Sequence, residues 1–356
     1  MSVLELPSAR EEAWRYADLA GLAAAATLAP GVVEDAAAWF LDLPGARVLV
    51  VDGKVDEAAS KLDRVQLRHV TAREHALGAR TSGPGWALHL NQSSTDPVQV
   101  VHVSNGGTNH LASEIVLADG AAAQLVETYV GRGWVNRALS VTLGRSARLQ
   151  RAVRLTQAEG FVSLREDVDL GTGAQLVTTF LGAGKAGSRI DAQIIAGEGT
   201  WSEYGGALLT AGEQRQECAV RVRHAEPNGR SHQLWRAVAA DRSTASLAAA
   251  VEVARHAQKT DGEQSLRGLL LQRTATVNLK PELEIFADDV KCAHGATVGE
   301  LDARALFYME SRGIPRARAQ ALLTRAFVAD AIDRIGNEVV REAFAADADA
   351  WLAAAL

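Results

Sequence analysis

The sequence has few cysteines and lacks both a long apolar run and a recognisable export signal. Its two cysteines, Cys218 and Cys292, are too few for a disulfide framework, and such scarcity is typical of a reducing compartment. No apolar stretch approaches the ~20 residues that a helix needs to cross a bilayer. Residues 1–12 contain no basic segment followed by an apolar run. We therefore expect a cytoplasmic protein that does not bind membranes.

Basic residues are also in the minority, which restricts the partners. The chain has 43 acidic and 37 basic residues and a net charge of −6, whereas nonspecific binding to nucleic acid needs a basic face. We therefore expect no nucleic-acid partner. At 356 residues with 47% hydrophobic content, the chain is long enough to bury a substantial core.

A repeated pattern in the central part of the chain predicts a β-solenoid. Four segments share one plan, in which an aliphatic residue ends a strand, a small polar turn follows and an alternating strand begins. They start at residues 117, 143, 170 and 195, so the starts are 26, 27 and 25 residues apart. Antiparallel sandwich strands can alternate in the same way, but a steady coil length without helices favours a parallel β-helix.

The pattern divides the chain into three regions. We expect an N-terminal helical region with short strands over residues 1–95, a β-helix core over 96–294 and a C-terminal helical domain over 295–356. The predicted fold is thus mainly β, with a right-handed parallel β-helix-like core flanked by helical regions. Within the core, polar residues such as Arg165 alternate with the apolar residues Val162, Leu164, Val168 and Leu170, which predicts one dry and one wet face.

Cys292 and His294 lie two residues apart near the end of the predicted core. They follow a strand-like run, and in extended backbone residues i and i+2 point to the same side. Thiolate and imidazole together suit soft or borderline metals such as iron and zinc. Two donors do not complete a four-coordinate shell, so a metal here would need donors from elsewhere, such as another chain. Taken singly, Cys292 fits a small buried side chain and His294 a structural or surface histidine.

The same region resembles a known family over a long stretch. Residues 281–300 read PELEIFADDVKCAHGATVGE and residues 306–314 read LFYMESRGI. Every fixed position of the corresponding SufD pattern is met. Residues 224–233, 259–264 and 12–16 add further landmarks. The sequence therefore resembles the SufD subunits of the SufBCD iron–sulfur cluster assembly complex, within the SufB/SufD family.

This resemblance implies a noncatalytic scaffold subunit rather than an enzyme. Its partners would be a SufB-like subunit and a SufC-like ATPase, while the oligomeric state of the isolated chain, including a homodimer, stays open. An iron–sulfur cluster would be held transiently in the complex, with reduced flavin as an associated reductant and no cofactor on the isolated chain. In SufD-like chains the histidine of the Cys-x-His element acts in cluster assembly at the SufB interface, which assigns this role to His294 more than to Cys292.

Two other parts of the sequence could indicate a functional site, a glycine-rich segment and the second cysteine. Residues 182–187 match G-x-G-x-x-G, but a strand-like segment rather than a helix follows, so we interpret them as a coil turn and not a nucleotide site. Cys218 alternates with Val220 and Val222, which predicts a core cysteine.

The alternative function is that of a β-helical carbohydrate-active enzyme or carbohydrate-binding protein. Such proteins usually act outside the cell and rely on clustered acids and exposed aromatic residues in a groove. Aromatic residues make up only 5% of this chain, and no acidic cluster recurs on successive coils. The scaffold interpretation is therefore favoured.

The C-terminal region predicts three helices. Residues 301–311 form the first, Gly313 ends it, a second begins after Pro315, and residues 339–356 form a helical tail. On the second helix we expect one buried face, formed by Ala319, Leu322, Leu323, Ala326 and Phe327.

On the first C-terminal helix, a helical wheel groups Tyr308 with Leu301, Ala305 and Met309 against the core and leaves Phe307 among charged residues. The family resemblance implies that SufC docks on this region, around residues 302–335. We assign Phe307, Tyr308 and Arg312 to the docking surface.

Overall fold

A computed structural model describes residues 6–8 and 10–356. The stretch inspected for an export signal, residues 1–12, therefore lies partly outside the described residues. The described chain is mainly β, with 49% strand and 18% helix, and forms a parallel β-solenoid of about 8 turns with helices towards both ends. The predicted fold class is thus confirmed. Among the described helices, none has both the length and the apolar character of a membrane span.

Helices lie at both ends of the described chain. The helices are α1 (Leu19–Ala25), α2 (Ala303–Ser311), α3 (Arg316–Ile332) and α4 (Glu338–Ala355). Strands β1–β6 are Arg47–Val51, Lys54–Val55, Val65–Val70, Gly83–Leu90, Val98–Leu117 and Ala122–Leu143. Strands β7–β12 are Arg148–Leu155, Glu159–Leu170, Gln175–Gly182, Gly187–Ala196, Trp201–Thr210 and Arg215–His224. Strands β13–β17 are Arg230–Ala239, Thr244–Val253, Asp261–Leu270, Thr276–Ile285 and Lys291–Glu300. Strand β9 ends at the first glycine of the G-x-G-x-x-G segment and β10 begins at its last, so the segment is a coil turn, as predicted.

The chain alternates between two sheets of parallel strands. Sheet A contains β7, β9, β11, β13, β15 and β17, and sheet B contains β8, β10, β12, β14 and β16. The long strand β6 belongs to both, because its first half pairs with β7 and its second half with β8. Gly131 and Gly133 lie between the halves with φ of 99° and 98°, a left-handed backbone that favours glycine. The strand can therefore turn from one sheet to the other.

The strand register confirms the repeat and corrects one of its positions. In sheet B the paired residues are numbered 117, 143, 170, 196, 224, 253 and 285, so successive coils take 26, 27, 26, 28, 29 and 32 residues. The register pairs Leu170 with Ala196 rather than with Ile195, whose side chain points outward and is 39% exposed. Strands β10–β17 are all ten residues long, so the extra residues of later coils lie in the turns.

The interior between the sheets is a continuous apolar core. Leu149 and Leu164 face inward, are 1% and 3% exposed, and belong to the main hydrophobic cluster. The outer face of sheet B is less exposed to solvent than the sequence predicts. Arg165 is 8% exposed, and its guanidinium contacts Asp191 at 2.6 Å as well as Asp167. The N-terminal segment covers this face, since Trp14 stacks on the Arg189 guanidinium at 4.1 Å.

A line of buried charges crosses the interior of the first coils. Arg151 contacts Glu127 and Glu166, each at 2.7 Å, and Glu127 lies 3.6 Å from His102. Burial alone would raise the pKa of Glu127, but Arg151 and His102 outweigh it and hold that pKa well below its usual range. These charges are paired with one another, which is the condition for keeping them in a core.

The C-terminal helices pack on the outer face of sheet A. Val328, Ile332 and Phe344 share a hydrophobic cluster with sheet residues such as Leu181 and Leu209. Two ion pairs reinforce the contact. Arg154 binds Asp347 through two hydrogen bonds of 2.7 and 2.9 Å, and Arg236 Nε binds Asp330 at 2.9 Å.

Candidate functional site

Cys292 and His294 lie on β17, the last strand of sheet A. As expected from the sequence, they are two residues apart in extended backbone and therefore share a face. Cys292 is half-buried and His294 is exposed. The structure thus brings the two donors together at the end of the solenoid and leaves the imidazole accessible.

The strands at this end present open edges. In the register of the described strands, β17 pairs with β15 and β16 pairs with β14. Almost every residue of β17 is exposed, and Phe286, in the turn between β16 and β17, is 57% exposed. The main-chain groups of an unpaired edge can bind another strand, and native proteins usually protect such edges. This end of the solenoid therefore has the properties of an interaction surface.

The interior column that ends at Cys292 becomes polar towards the open end. In register, it runs through Leu176, Ser202, Ser231, Gly262 and Cys292. A Cβ added to Gly262 would lie 3.4 Å from Cys292 Sγ and 3.7 Å from Ser231 Oγ. Because residue 262 is a glycine, the space next to the thiol stays open, and a larger side chain would fill it.

A second polar column ends at His294. Gln233 pairs with Gln264, and Gln264 pairs with His294. Both glutamines are buried, at 0% and 1% exposure. Sequence reasoning noted both segments as family landmarks but did not recognise that they face inward. Gly262 and Gln264 are two residues apart and therefore share a face of the strand. This spacing, combined with the register between coils, is the signal that could have identified the two inward glutamines.

The Cys292 thiol is held in its neutral form in the isolated chain. Partial burial raises the pKa of this thiol, the Gly262 N–H opposes that shift, and the nearby Asp261 carboxylate adds to it. A metal that binds the sulfur must therefore displace a proton. Such coupling makes metal binding pH-dependent.

Three further cysteine and histidine side chains do not contribute donors beside Cys292 and His294. Cys218 is 2% exposed in the main core, as expected, and burial raises the pKa of its thiol well above the usual range. His224 is fully buried and its Nε2 lies 2.8 Å from Ser231 Oγ, while His232 lies 3.9 Å from Glu203. Within the described residues, no three His, Cys, Asp or Glu side chains form a metal-sized group.

The predicted docking residues lie on or directly after α2. Asp302 caps this helix by accepting a hydrogen bond from the Arg304 N–H at 2.8 Å. Phe307 is 72% exposed and Tyr308 is 59% exposed, with the exposed Arg312 guanidinium 5.2 Å from the Tyr308 ring. Phe307 is thus not covered by a neighbouring helix. The expectation that Tyr308 packs on the core was wrong, because the helix turns Leu306, and not Tyr308, towards the core.

The predicted buried face of α3 was also partly wrong. Ala319 is buried, but Leu322 is 40% exposed and Ala326 is exposed. Val328 and Ile332 are buried instead. The helix packs both on sheet A and against its neighbouring helices, so contacts with several elements, rather than one apolar stripe, determine its orientation.

The structure defines a class: a parallel β-solenoid that presents a thiol and an imidazole at an open sheet edge. Comparison with known proteins places it more narrowly. Residues 100–327, more than half of the chain, match the family model described as "SUF system FeS cluster assembly, SufBD core domain". The chain belongs to this family, and its relatives identify it as a SufD-type protein.

Three relatives illustrate the similarity. The iron–sulfur cluster assembly protein SufD of Escherichia coli is 27% identical over 376 residues, which cover 95% of this chain and 87% of the relative. A SufBD family protein of Synechocystis is 26% identical over 93% of this chain and 84% of its own length. The chloroplast protein ABCI7 of Arabidopsis thaliana is 30% identical over 64% of this chain and 50% of the relative.

Proposed function

We propose that the chain is a noncatalytic scaffold subunit of a SufBCD-type complex that assembles iron–sulfur clusters. The observation that carries this proposal is the position of His294, exposed on the last strand of the solenoid beside the half-buried Cys292. A cluster is then cargo, received at this end and passed on. Family membership supports the general role, and the geometry of β17 supports the particular one.

A SufB-like subunit binds the open end of the solenoid in this proposal. The free edges of β16 and β17 supply main-chain donors and acceptors, and the exposed Ile285, Phe286 and Val298 supply apolar area. Addition of a partner strand to such an edge is a common mode of recognition. It would also bring the partner's side chains next to His294.

The two donors of this chain fill only part of a metal shell. An imidazole nitrogen and a thiolate suit iron in an iron–sulfur cluster, and the remaining ligands come from the partner. His294 is exposed, whereas the Cys292 thiol is half-buried and must lose a proton before it binds. We therefore expect His294 to contribute more than Cys292.

Substitution of His294 tests this role in the intact complex. We expect His294→Ala to reduce anaerobic cluster formation by about tenfold or more, while the complex still assembles, because the side chain packs against little. Cys292→Ala should reduce the yield less. Absorbance and iron content of the co-purified complex measure the effect.

His256→Ala is the matched control, since His256 is also exposed, at 66% of its side chain, but lies in a turn on the preceding coil. It should leave the cluster yield unchanged. Normal cluster formation in the His294→Ala complex would refute the proposed role.

The SufC-like ATPase docks on α2 in this proposal, through Phe307, Tyr308 and Arg312. Large exposed aromatic residues beside a guanidinium are typical anchors of compact interfaces. The ATPase would supply the energy and the SufB-like subunit the remaining ligands. Reduced flavin is the proposed reductant of the whole complex rather than a cofactor of this chain.

A further inference from the structure

Gln264 is a buried glutamine whose side-chain oxygen has no hydrogen-bond donor within the described chain. Its Nε2 donates to the Ala249 carbonyl at 2.8 Å and to the Glu282 carbonyl at 3.3 Å. Carbonyl oxygens only accept, so these two contacts determine which end of the amide is the nitrogen. Oε1 is buried and unpartnered. A buried acceptor without a donor is costly and calls for an explanation.

The next side chain in the column, on the open side, is His294. The register of β15 and β17 pairs the two residues, and neighbouring strands lie about 4.8 Å apart. A neutral imidazole has one N–H donor and one nitrogen lone pair. If the N–H points to Gln264 Oε1, the lone pair of the other ring nitrogen points towards the open end of the solenoid.

We propose that Gln264 is a positioning residue for His294. When the exposed His294 ring turns towards it, the Oε1 atom, which has no donor in the structure, accepts a hydrogen bond from the imidazole N–H, fixes one neutral tautomer and leaves the second ring nitrogen free to bind iron. Metal-binding histidines commonly have such an acceptor behind the ring. This inference rests on the function proposed above, in which His294 is a ligand to the cluster.

Gln233 is a matched control within the same column. Its Nε2 donates to the Ala250 carbonyl at 2.9 Å, its Oε1 is likewise buried and unpartnered, and it is 0% exposed. Its neighbour in register is Gln264 rather than His294. A purely structural role would therefore give the two glutamines similar effects.

The first experiment measures the His294 tautomer in the full isolated chain. Histidine labelled with nitrogen-15 reports the two ring nitrogens by NMR, and His294→Ala assigns the signal. We expect Gln264→Met to shift the tautomer ratio towards that of a solvent-exposed imidazole. Gln233→Met should leave the ratio unchanged. An unaltered ratio in Gln264→Met would overturn the inference.

The second experiment measures cluster yield in the complex with the SufB-like and SufC-like partners. We expect Gln264→Met to lower the yield by about tenfold and Gln233→Met to have little effect. Equal losses in Gln264→Met and Gln233→Met would assign both residues a structural role only. If His294→Ala assembles clusters normally while Gln264→Met still shifts the tautomer, the Gln264–His294 contact stands and the proposed function fails.

Discussion

His102 and His224 are buried histidines that the fold keeps neutral. Burial lowers the pKa of each to about 4 from an ordinary value of 6.5. At His102, Arg137 opposes the charged form and Glu127 favours it. At His224, burial is the whole cause. Both residues therefore favour the unfolded chain as the pH falls below 6.5, because the unfolded chain binds protons more readily.

These histidines predict a loss of stability in mild acid. Between pH 6.5 and about 4 the unfolded chain binds protons that the folded chain does not, so the free energy of unfolding falls as the pH falls. Each residue contributes up to about 1.4 kcal/mol per pH unit in this window. His224→Gln should flatten the dependence by about one such contribution, as measured by urea unfolding at pH 7, 6 and 5. Parallel pH profiles for the variant and the wild-type chain would contradict this account.

Leu164 predicts the cost of a cavity in the solenoid core. It is 3% exposed and faces inward, so Leu164→Ala should lower the free energy of unfolding by ~2–5 kcal/mol. Denaturant unfolding measures the change. Arg148→Ala is the control, because Arg148 is exposed at the start of β7, and a loss as large as that of Leu164→Ala would argue against the assigned inward and outward faces.

Arg165 shows what the sequence could not predict at the scale of single residues. Alternation placed it on a wet face, whereas the structure buries it against Asp167 and Asp191. The reason is long-range, since N-terminal residues cover that face of the sheet. Inward positions such as Leu164 were predicted correctly, because the period of two and the neighbouring strands of the same sheet determine them.

At the scale of elements, α2 presents two exposed aromatic side chains, Phe307 and Tyr308, of which Phe307 has the larger exposed fraction. Phe307→Ala removes most of this surface without disturbing a core contact, since the side chain is 72% exposed. If it anchors the SufC-like ATPase, affinity should fall by ~1–4 kcal/mol while the unfolding transition is unchanged. Titration calorimetry with the ATPase measures the effect.

Val339→Ala is the matched control for that element. Val339 is 39% exposed on α4, beyond residues 302–335, so its loss should not change the affinity. An equal effect of both variants, or none from Phe307→Ala, would place the docking surface elsewhere. Deletion of the C-terminal helices is a poor test, because it would uncover sheet A residues such as Leu181 and Leu209.

Element boundaries were largely predictable, whereas element orientation was not. Gly313 and Pro315 lie between α2 and α3, as their backbone preferences predict. The rotation of α3 about its axis depended on packing against a sheet and two helices at once, which no single periodicity encodes. The candidate site shows the same difference. The spacing in the sequence was enough to identify Cys292 and His294, whereas the position of Gln264 beside them depends on the register between coils.

At the scale of the whole molecule, the alignment of the strands in the solenoid does not depend on how many residues each coil contains. Coil lengths vary between 26 and 32 residues in sheet B, while strands β10–β17 keep ten residues each. The additional residues project from the turns and leave the interior columns aligned.

The distance between two residues along the solenoid therefore depends on the number of strands between them and not on the number of residues. Gln264 and His294 differ by 30 in number, yet they lie one strand spacing apart, about 4.8 Å. A segment added to a turn would lengthen the chain and leave that spacing unchanged. A single residue inserted within β15 or β17 would instead reverse the faces of every residue after it in the strand, and would turn either the acceptor or the imidazole away from the other.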